Sequence, residues 1–212
     1  MIPDAIRQAL GRSAQAIVEA AALNVEALAE AAERIAYRVH LGGTIWLIGN
    51  GGSAATASHI AGEFVGRFKR ERDSIRAFAL MVDPAATTAI ANDYGYEYLF
   101  CRQMVTMVRD GDVLIAFSTS GKSRNVVLGI TRVIRRDVLI AAFVGAHGEG
   151  VGQTLEIRED GADAYLFRVP SADTPHIQEA HDAMAHCLVE AVDDELAILQ
   201  AEARMLRNEV NA

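Results

Sequence analysis

Five short apolar runs, separated by helical patterns or glycine-rich turns, restrict this chain to an alternating α/β fold. They are residues 44–48, 76–82, 112–117, 138–144 and 164–169. Short runs with little polar alternation read as strands covered on both faces, so a mainly parallel five-stranded sheet flanked by helices is predicted. Ahead of it, residues 4 to about 39 are rich in Ala, Leu, Ile and Glu and read as one or two helices, with a break near Asn24. Ile17, Ala21, Val25, Leu28 and Ile35 form the expected apolar stripe of this arm, to be buried on its own domain or on another subunit. Thr174-Pro175 starts a final helix that continues to about Asn208, with proline in the first turn. The expected organisation is a single domain over 1–212: a helical arm 1–40, an α/β core 41–172 and a C-terminal helix 173–212.

Two small-residue loops follow strand-like runs directly and lead into helical patterns. They are Gly49-Asn50-Gly51-Gly52-Ser53 and Ser118-Thr119-Ser120-Gly121-Lys122-Ser123. Each sets hydroxyls and free backbone N–H groups at a helix N-terminus, where the helix dipole also favours an anion. In parallel sheets ligands bind beyond the carboxyl ends of the strands, so the pair points to a phosphorylated small molecule. Gly49 to Ala54 formally satisfies G-x-G-x-x-A, but an acidic ribose partner belongs about 20 residues on, and Asp83 lies too far along the chain. Gly121-Lys122-Ser123 imitates the end of a P-loop, yet Ala116 stands where that motif needs glycine. No nucleotide cofactor is therefore expected.

Composition narrows the partners. A formal net charge of −8 argues against a nucleic-acid surface. The local basic run Arg67 to Arg72 reads as a solvated helix end or as a phosphate contact by one arginine. Cys101 and Cys187 have neither disulfide nor zinc-ligand spacing. Neighbouring helical positions diverge by about 100°, so His186-Cys187 is no nucleophile–base pair and a buried thiol is expected at Cys187. Asp4 and Arg7 interrupt any signal-peptide pattern, and no apolar stretch reaches the roughly 18 residues of a membrane span. A cytoplasmic protein without membrane contact is the expectation.

Acid–base chemistry has two sources. His59 and Glu63, four residues apart, share one face of the helix that follows the first loop. Gln178, His181 and His186 recur in the last helix among Ile177, Ala180, Met184 and Leu188. A carboxylate beside imidazoles suits proton abstraction alpha to a carbonyl. The set His59, Glu63, Gln178 and His186 suits a metal such as zinc equally well.

Taken in order, several motifs carry a resemblance over nearly the whole chain. They are Gly49-Asn50-Gly51-Gly52-Ser53, His59-x-x-x-Glu63, Gly66-Arg67-Phe68, Ala91-Asn92-Asp93-Tyr94-Gly95, the Ser118 to Ser123 loop, and Ile177-Gln178-Glu179-x-His181 with His186. Together they resemble the phosphoheptose isomerases of the sugar-isomerase (SIS) fold. The resemblance implies interconversion of sedoheptulose 7-phosphate and D-glycero-D-manno-heptose 7-phosphate through an enediol, and a homotetramer joined by its terminal helices. It implies Glu63 as the base, His186 as the partner acid–base group, and zinc on His59, Glu63, Gln178 and His186 in some relatives. Asn50, Gly51, Gly52, Ser53, Arg67, Asn92, Asp93, Ser118, Thr119, Ser120, Ser123 and Gln178 take substrate-binding roles by the same resemblance. Departures are His176, where the family generally has arginine, and a C-terminal helix extended beyond Leu196. The competing readings are a non-catalytic SIS protein that binds a sugar phosphate or a replication-initiator-type partner, and an isomerase of another sugar phosphate.

Overall fold

The computed structural model describes residues 1–81, 83–157 and 163–210. Its elements are α1 (Ile2–His40), β1 (Ile45–Ile48), α2 (Gly52–Val65), β2 (Ala77–Ala79), α3 (Pro84–Tyr94), a 3-10 turn Tyr96–Tyr98, α4 (Leu99–Met107), β3 (Val113–Ser118), α5 (Arg124–Val133), β4 (Leu139–Val144), α6 (Glu149–Glu156), β5 (Ala164–Arg168) and α7 (Thr174–Val210). All five expected strands are present. The second is shorter than the run 76–82, whose last residue, Val82, lies outside the described residues.

The sheet is wholly parallel in the order β2-β1-β3-β4-β5. The central strands β3 and β4 are buried at every position, which explains their unbroken apolar sequence. Alternate side chains supply two cores. Ile115, Phe117, Ala141 and Phe143 join α1, α2 and α7 on one face, and Leu114, Ala116, Ile140 and Ala142 join the α3–α6 side on the other. After β1 the chain first builds β2 outward, then crosses back to β3 on the other side of β1. The loops following β1 and β3 consequently sit side by side, since Ile48 is paired with Ala116. Asp83, too remote for a ribose contact, instead caps α3 by accepting from the N–H groups of Ala85 and Ala86 at 2.8 and 3.2 Å.

Helix α1 runs unbroken for 39 residues, through the expected interruption at Asn24. The Asn24 amide is buried and donates to the carbonyls of Ala20 (2.6 Å) and Arg168 (2.8 Å), while its oxygen accepts from Arg168 N–H at 3.0 Å. It therefore completes the outer edge of β5 and pins the arm to the sheet. The apolar stripe also needs correction. Leu28 and Ile35 are buried and Ile17 is partly so, but Ala21 and Val25 are exposed. The buried column is Ala16, Ala20, Asn24, Leu28, Ala31 and Ile35, whose small residues let α7 approach closely. The two long helices lie along each other in the same direction. Ser13 bonds Glu179 near the start of α7, while Val39 and His40 share a cleft with Leu196 and Gln200. No helix among the described residues is long and apolar enough to cross a membrane.

Three expectations about particular side chains change. Cys187 is exposed, not buried, because Leu188 and Val189 occupy the core-facing arc of α7. The basic run is not a helix end: α2 stops at Val65, and Lys69, Arg70 and Arg72 pair with Glu190, Asp194 and Asp193 of α7. His181 is 1% exposed, packed against Phe117 and Phe143, and neither ring nitrogen has a partner in good hydrogen-bond geometry.

Burial lowers the pKa of His181 to about 4, against smaller opposing pulls from the Val144 backbone and Asp182. The unfolded chain thus takes up a proton below about 6.5 that the folded chain refuses, so stability is full at neutral pH and declines as the pH falls toward 4. Between pH 7 and pH 5 the wild type should lose about 2 kcal/mol more than His181→Phe, by urea denaturation at each pH. Identical pH dependence in the two proteins would refute this assignment.

Candidate active site

The first loop closes around two glycines. Gly51 has φ of 55° and serves as the N-cap of α2, and a Cβ on Gly52 would strike the Gln178 carboxamide. Close approach of Gly52 therefore seats the start of α2 against α7. In the second loop Gly121 has φ of 62°, and its N–H donates to Ser118 O at 3.0 Å to complete a tight turn. Lys122 N–H donates to Ser120 Oγ at 3.1 Å, and the hydroxyls of Ser118 and Ser123 are 3.4 Å apart. Ser53 and Ser118 are buried, Thr119 and Ser123 are half-buried, and Ser120 is exposed. Two helix N-termini, those of α2 and α5, thus open beside a cluster of neutral donors, an arrangement suited to a phosphate dianion.

An amide pair joins the loops. Asn50 Nδ2 donates to Asn125 Oδ1 and Asn125 Nδ2 donates to Asn50 Oδ1, both at 2.8 Å. Asn125 Oδ1 also accepts from Val126 N–H at 3.0 Å, and the Tyr96 hydroxyl donates to Asn50 Oδ1 at 2.7 Å. Asn50 is thereby fixed as part of the scaffold between the loops. Neither Tyr96 nor Asn125 carried a signal in the sequence, because their common partner lies tens of residues away.

The acid–base residues converge from two helices. His59 and Glu63 stand on successive turns of α2, with Nε2 and Oε1 3.8 Å apart. His186, on α7, brings its Nε2 to 2.9 Å from that of His59. At that distance one nitrogen donates and the other accepts, so the two rings share a single proton at the contact. Phe68 stacks on the His186 ring with an interplanar angle of 4° and holds it upright between the helices. Ligand atoms of His59, Glu63 and His186 all lie within 4.8 Å of one another, which fits three ligands of one metal ion. Tetrahedral donors at zinc distances sit about 3.3 Å apart, so small side-chain adjustments suffice. Gln178 and His59 line one groove of about 440 Å³ between α2 and α7, together with Gly52, Ala55, Thr56 and Glu179.

Other expected residues stay apart within one chain. Asn92 and Asp93 are exposed on α3 and bond to each other at 2.9 Å. Arg67 is exposed and pairs with Glu71 at 3.6 Å. His176 lies near Asp173, with Nδ1 and Oδ2 3.6 Å apart. A larger hollow, about 730 Å³, opens at the opposite end of the sheet around Trp46, Phe78, Arg76 and Arg109. None of the acid–base residues lines it, and its Arg34 and Arg38 pair with Asp163 and Asp137. Of the acid–base residues, His59 alone lines the smaller groove.

Comparison with known proteins shows the family. Residues 10–145 match the model of the SIS domain. The phosphoheptose isomerase of Thermodesulfovibrio yellowstonii is 42% identical over 206 residues, which span 97% of this chain and 98% of that protein. The chain belongs to the phosphoheptose isomerase family. Among solved structures, phosphoheptose isomerase GmhA from Neisseria gonorrhoeae superposes with a TM-score of 0.82 at 34% identity, covering 92% of this chain and all of that one (100%). A phosphoheptose isomerase from Francisella tularensis gives a TM-score of 0.85 at 29% identity, covering 92% and 99%. This phosphoheptose isomerase family member thus shares its architecture with those proteins from the arm through the last helix.

The amide pair gives a direct test of how the loops are held. Asn125→Leu strips Asn50 of its reciprocal partner and Val126 of its acceptor, and should destabilise the fold by about 1–3 kcal/mol. Denaturant melts that coincide with those of the wild type would rule out the amide pair as a tie between the loops.

Proposed function

We propose that this protein is an aldose–ketose isomerase converting sedoheptulose 7-phosphate to D-glycero-D-manno-heptose 7-phosphate in the cytoplasm, for heptose-containing surface polysaccharide. One observation carries the reading: His59 and Glu63, on the helix that starts at a phosphate-type loop, meet His186 of α7 with ligand atoms within 4.8 Å of one another. Distance along α2 supports a long substrate. From Ser53 to Glu63 the helix advances about 15 Å, less the backward lean of the glutamate side chain. A seven-carbon sugar phosphate can approach both ends, whereas a triose phosphate cannot.

In this reading Ser53, Ser118, Thr119, Ser120 and Ser123 hold the phosphate, and Asn50, Gly51 and Gly52 shape the loop beside it. Gln178 lies in the groove where the sugar hydroxyls would run. Arg67, Asn92 and Asp93, remote from the groove within one chain, take their substrate roles through family resemblance and assembly. Glu63 removes the proton from C1 of the ketose and returns it to C2 after the enediol forms. The His59–His186 pair, sharing one proton, gives it to the carbonyl oxygen at C2 and recovers one from the hydroxyl at C1. His59, Glu63 and His186, with Gln178 in the groove that His59 lines, fit a zinc ion, which when bound would polarise the substrate carbonyl. Zinc held there would compete with the proton that the two Nε2 atoms share.

Assembly as a homotetramer is part of the proposal. Ile6, Leu10, Val18, Leu23 and Val25 of α1, and Ile198, Met205 and Leu206 of α7, are large apolar side chains left exposed on the two long helices. Apolar surface of that extent is the usual mark of an interface. Light scattering should give four times the chain mass, and Leu10→Glu with Val25→Glu should reduce it. A monomeric wild type would remove this part of the reading.

The decisive assay is turnover of purified protein on sedoheptulose 7-phosphate with Glu63→Gln in parallel. The variant should lose about 10²–10⁴-fold in kcat, the range for a general base. Added zinc should bind to one site per chain, and His59→Gln should weaken that binding. Full activity in Glu63→Gln would overturn the mechanism. Binding of the sugar phosphate without turnover, with or without zinc, would favour the non-catalytic reading; turnover of a different sugar phosphate would change the substrate.

A further inference from the structure

The irregular segment between α2 and β2 contains one guanidinium that touches both helices of the acid–base site. Arg72 Nη2 donates to Glu63 O at 2.9 Å, and Nη1 donates to Phe64 O at 2.8 Å, Asp73 O at 3.1 Å and Gly66 O at 3.4 Å. Its Nε donates to Asp193 Oδ1 at 2.6 Å. The carbonyls of Glu63 and Phe64 belong to the last turn of α2, where a helix leaves its C=O groups unpaired. Asp193 stands two turns after His186 on α7, on the same side of that helix. One planar fork therefore spans from the backbone of Glu63 to the helix that carries His186.

We infer that Arg72 and Asp193 form a positioning clasp that sets the separation between Glu63 and His186, an inference that rests on the isomerase reading above. Apolar contact between α2 and α7 holds the helices together without fixing their slide along each other, because hydrophobic attraction has no direction. A bonded guanidinium has fixed lengths and angles. The 2.9 Å contact between His59 and His186 depends on that slide to within a fraction of an ångström. The two neighbouring ion pairs cannot substitute. Lys69–Glu190 and Arg70–Asp194 have side chains 44–63% exposed, whereas Arg72 and Asp193 are 10% and 3% exposed. Exposed pairs contribute little and reorient freely.

The pair is also closed to single replacement. Asp193 Oδ2 has no hydrogen-bond partner among the described residues, and burial raises its carboxyl pKa against the pull of Arg72. Removing Arg72 alone would strand that carboxyl, so a double change is the cleaner probe. Lysine at 72 would keep the charge but lack the fork that reaches both carbonyls and the carboxylate.

The test compares Arg72→Lys, Asp193→Asn and the double variant Arg72→Met with Asp193→Leu, using Lys69→Ala as the control. Circular dichroism establishes folding. On sedoheptulose 7-phosphate the clasp variants should lose about 10- to 100-fold in kcat with KM within about threefold, as expected when reacting groups are misplaced by an ångström. Lys69→Ala should match the wild type. In parallel, the ring resonances of His59 and His186, assigned by their loss in His59→Gln and His186→Gln, should move in every clasp variant. Folded clasp variants that keep wild-type histidine resonances overturn the inference, as do variants whose resonances move while kcat holds. A wild type inactive on sedoheptulose 7-phosphate defeats the isomerase reading instead, and the histidine resonances alone then decide the clasp.

Discussion

The ladder between β1 and β3 is the constraint on which the site depends. These strands are not consecutive in the chain, and their pairing places Ile48 beside Ala116. Each strand then ends in a small-residue turn and a helix. With the strands side by side, two helix N-termini meet at one edge of the sheet, and an anion there is served by both dipoles. The Asn50–Asn125 amides extend the pairing one step beyond the last backbone bond. Had β3 and β4 exchanged places, the same loops would lie a strand apart and share no ligand.

The acid–base residues enter on α2 and α7, over one face of the sheet. Helix α2 carries His59 and Glu63 away from the loop, and α7 runs beside it in the same direction with Gln178 and His186. Contact of Gly52 with Gln178 sets the two helices at one end, and the Arg72–Asp193 pair joins them at the other. Between those two points the histidines lie in hydrogen-bond contact. Rigid scaffolding of this kind is what proton transfer between adjacent carbons requires, since the base must reach both without being rebuilt.

Much of this was legible in the sequence, for physical reasons that also explain the failures. Strands covered on both faces leave apolar runs such as Val113 to Phe117 and Leu139 to Val144, which fix element and fold class together. His59 and Glu63 were readable as a pair because helical spacing guarantees a shared face. Long-range polar contacts left no such trace. Asn24 looked like a helix break because its partner, Arg168, is 144 residues away. The basic run from Arg67 looked solvated because its acids, Glu190, Asp193 and Asp194, lie on the final helix. Cys187 was misplaced because the arc of α7 that faces the core is narrower than its composition suggests.

Trp46 is the only tryptophan in the chain. Its indole N–H donates to Asp112 at 2.9 Å, and its ring leans on Phe78 with centroids 5.5 Å apart. Asp112 also accepts from the N–H groups of Thr44 and Arg109, so the fluorophore is tied to the starts of β1 and β3 at the edge away from the groove. Intrinsic emission from this protein is therefore a gauge of whether the sheet is assembled, blind to what occupies the sugar end. The chain carries an internal optical standard against which loss of chemistry and loss of structure can be told apart.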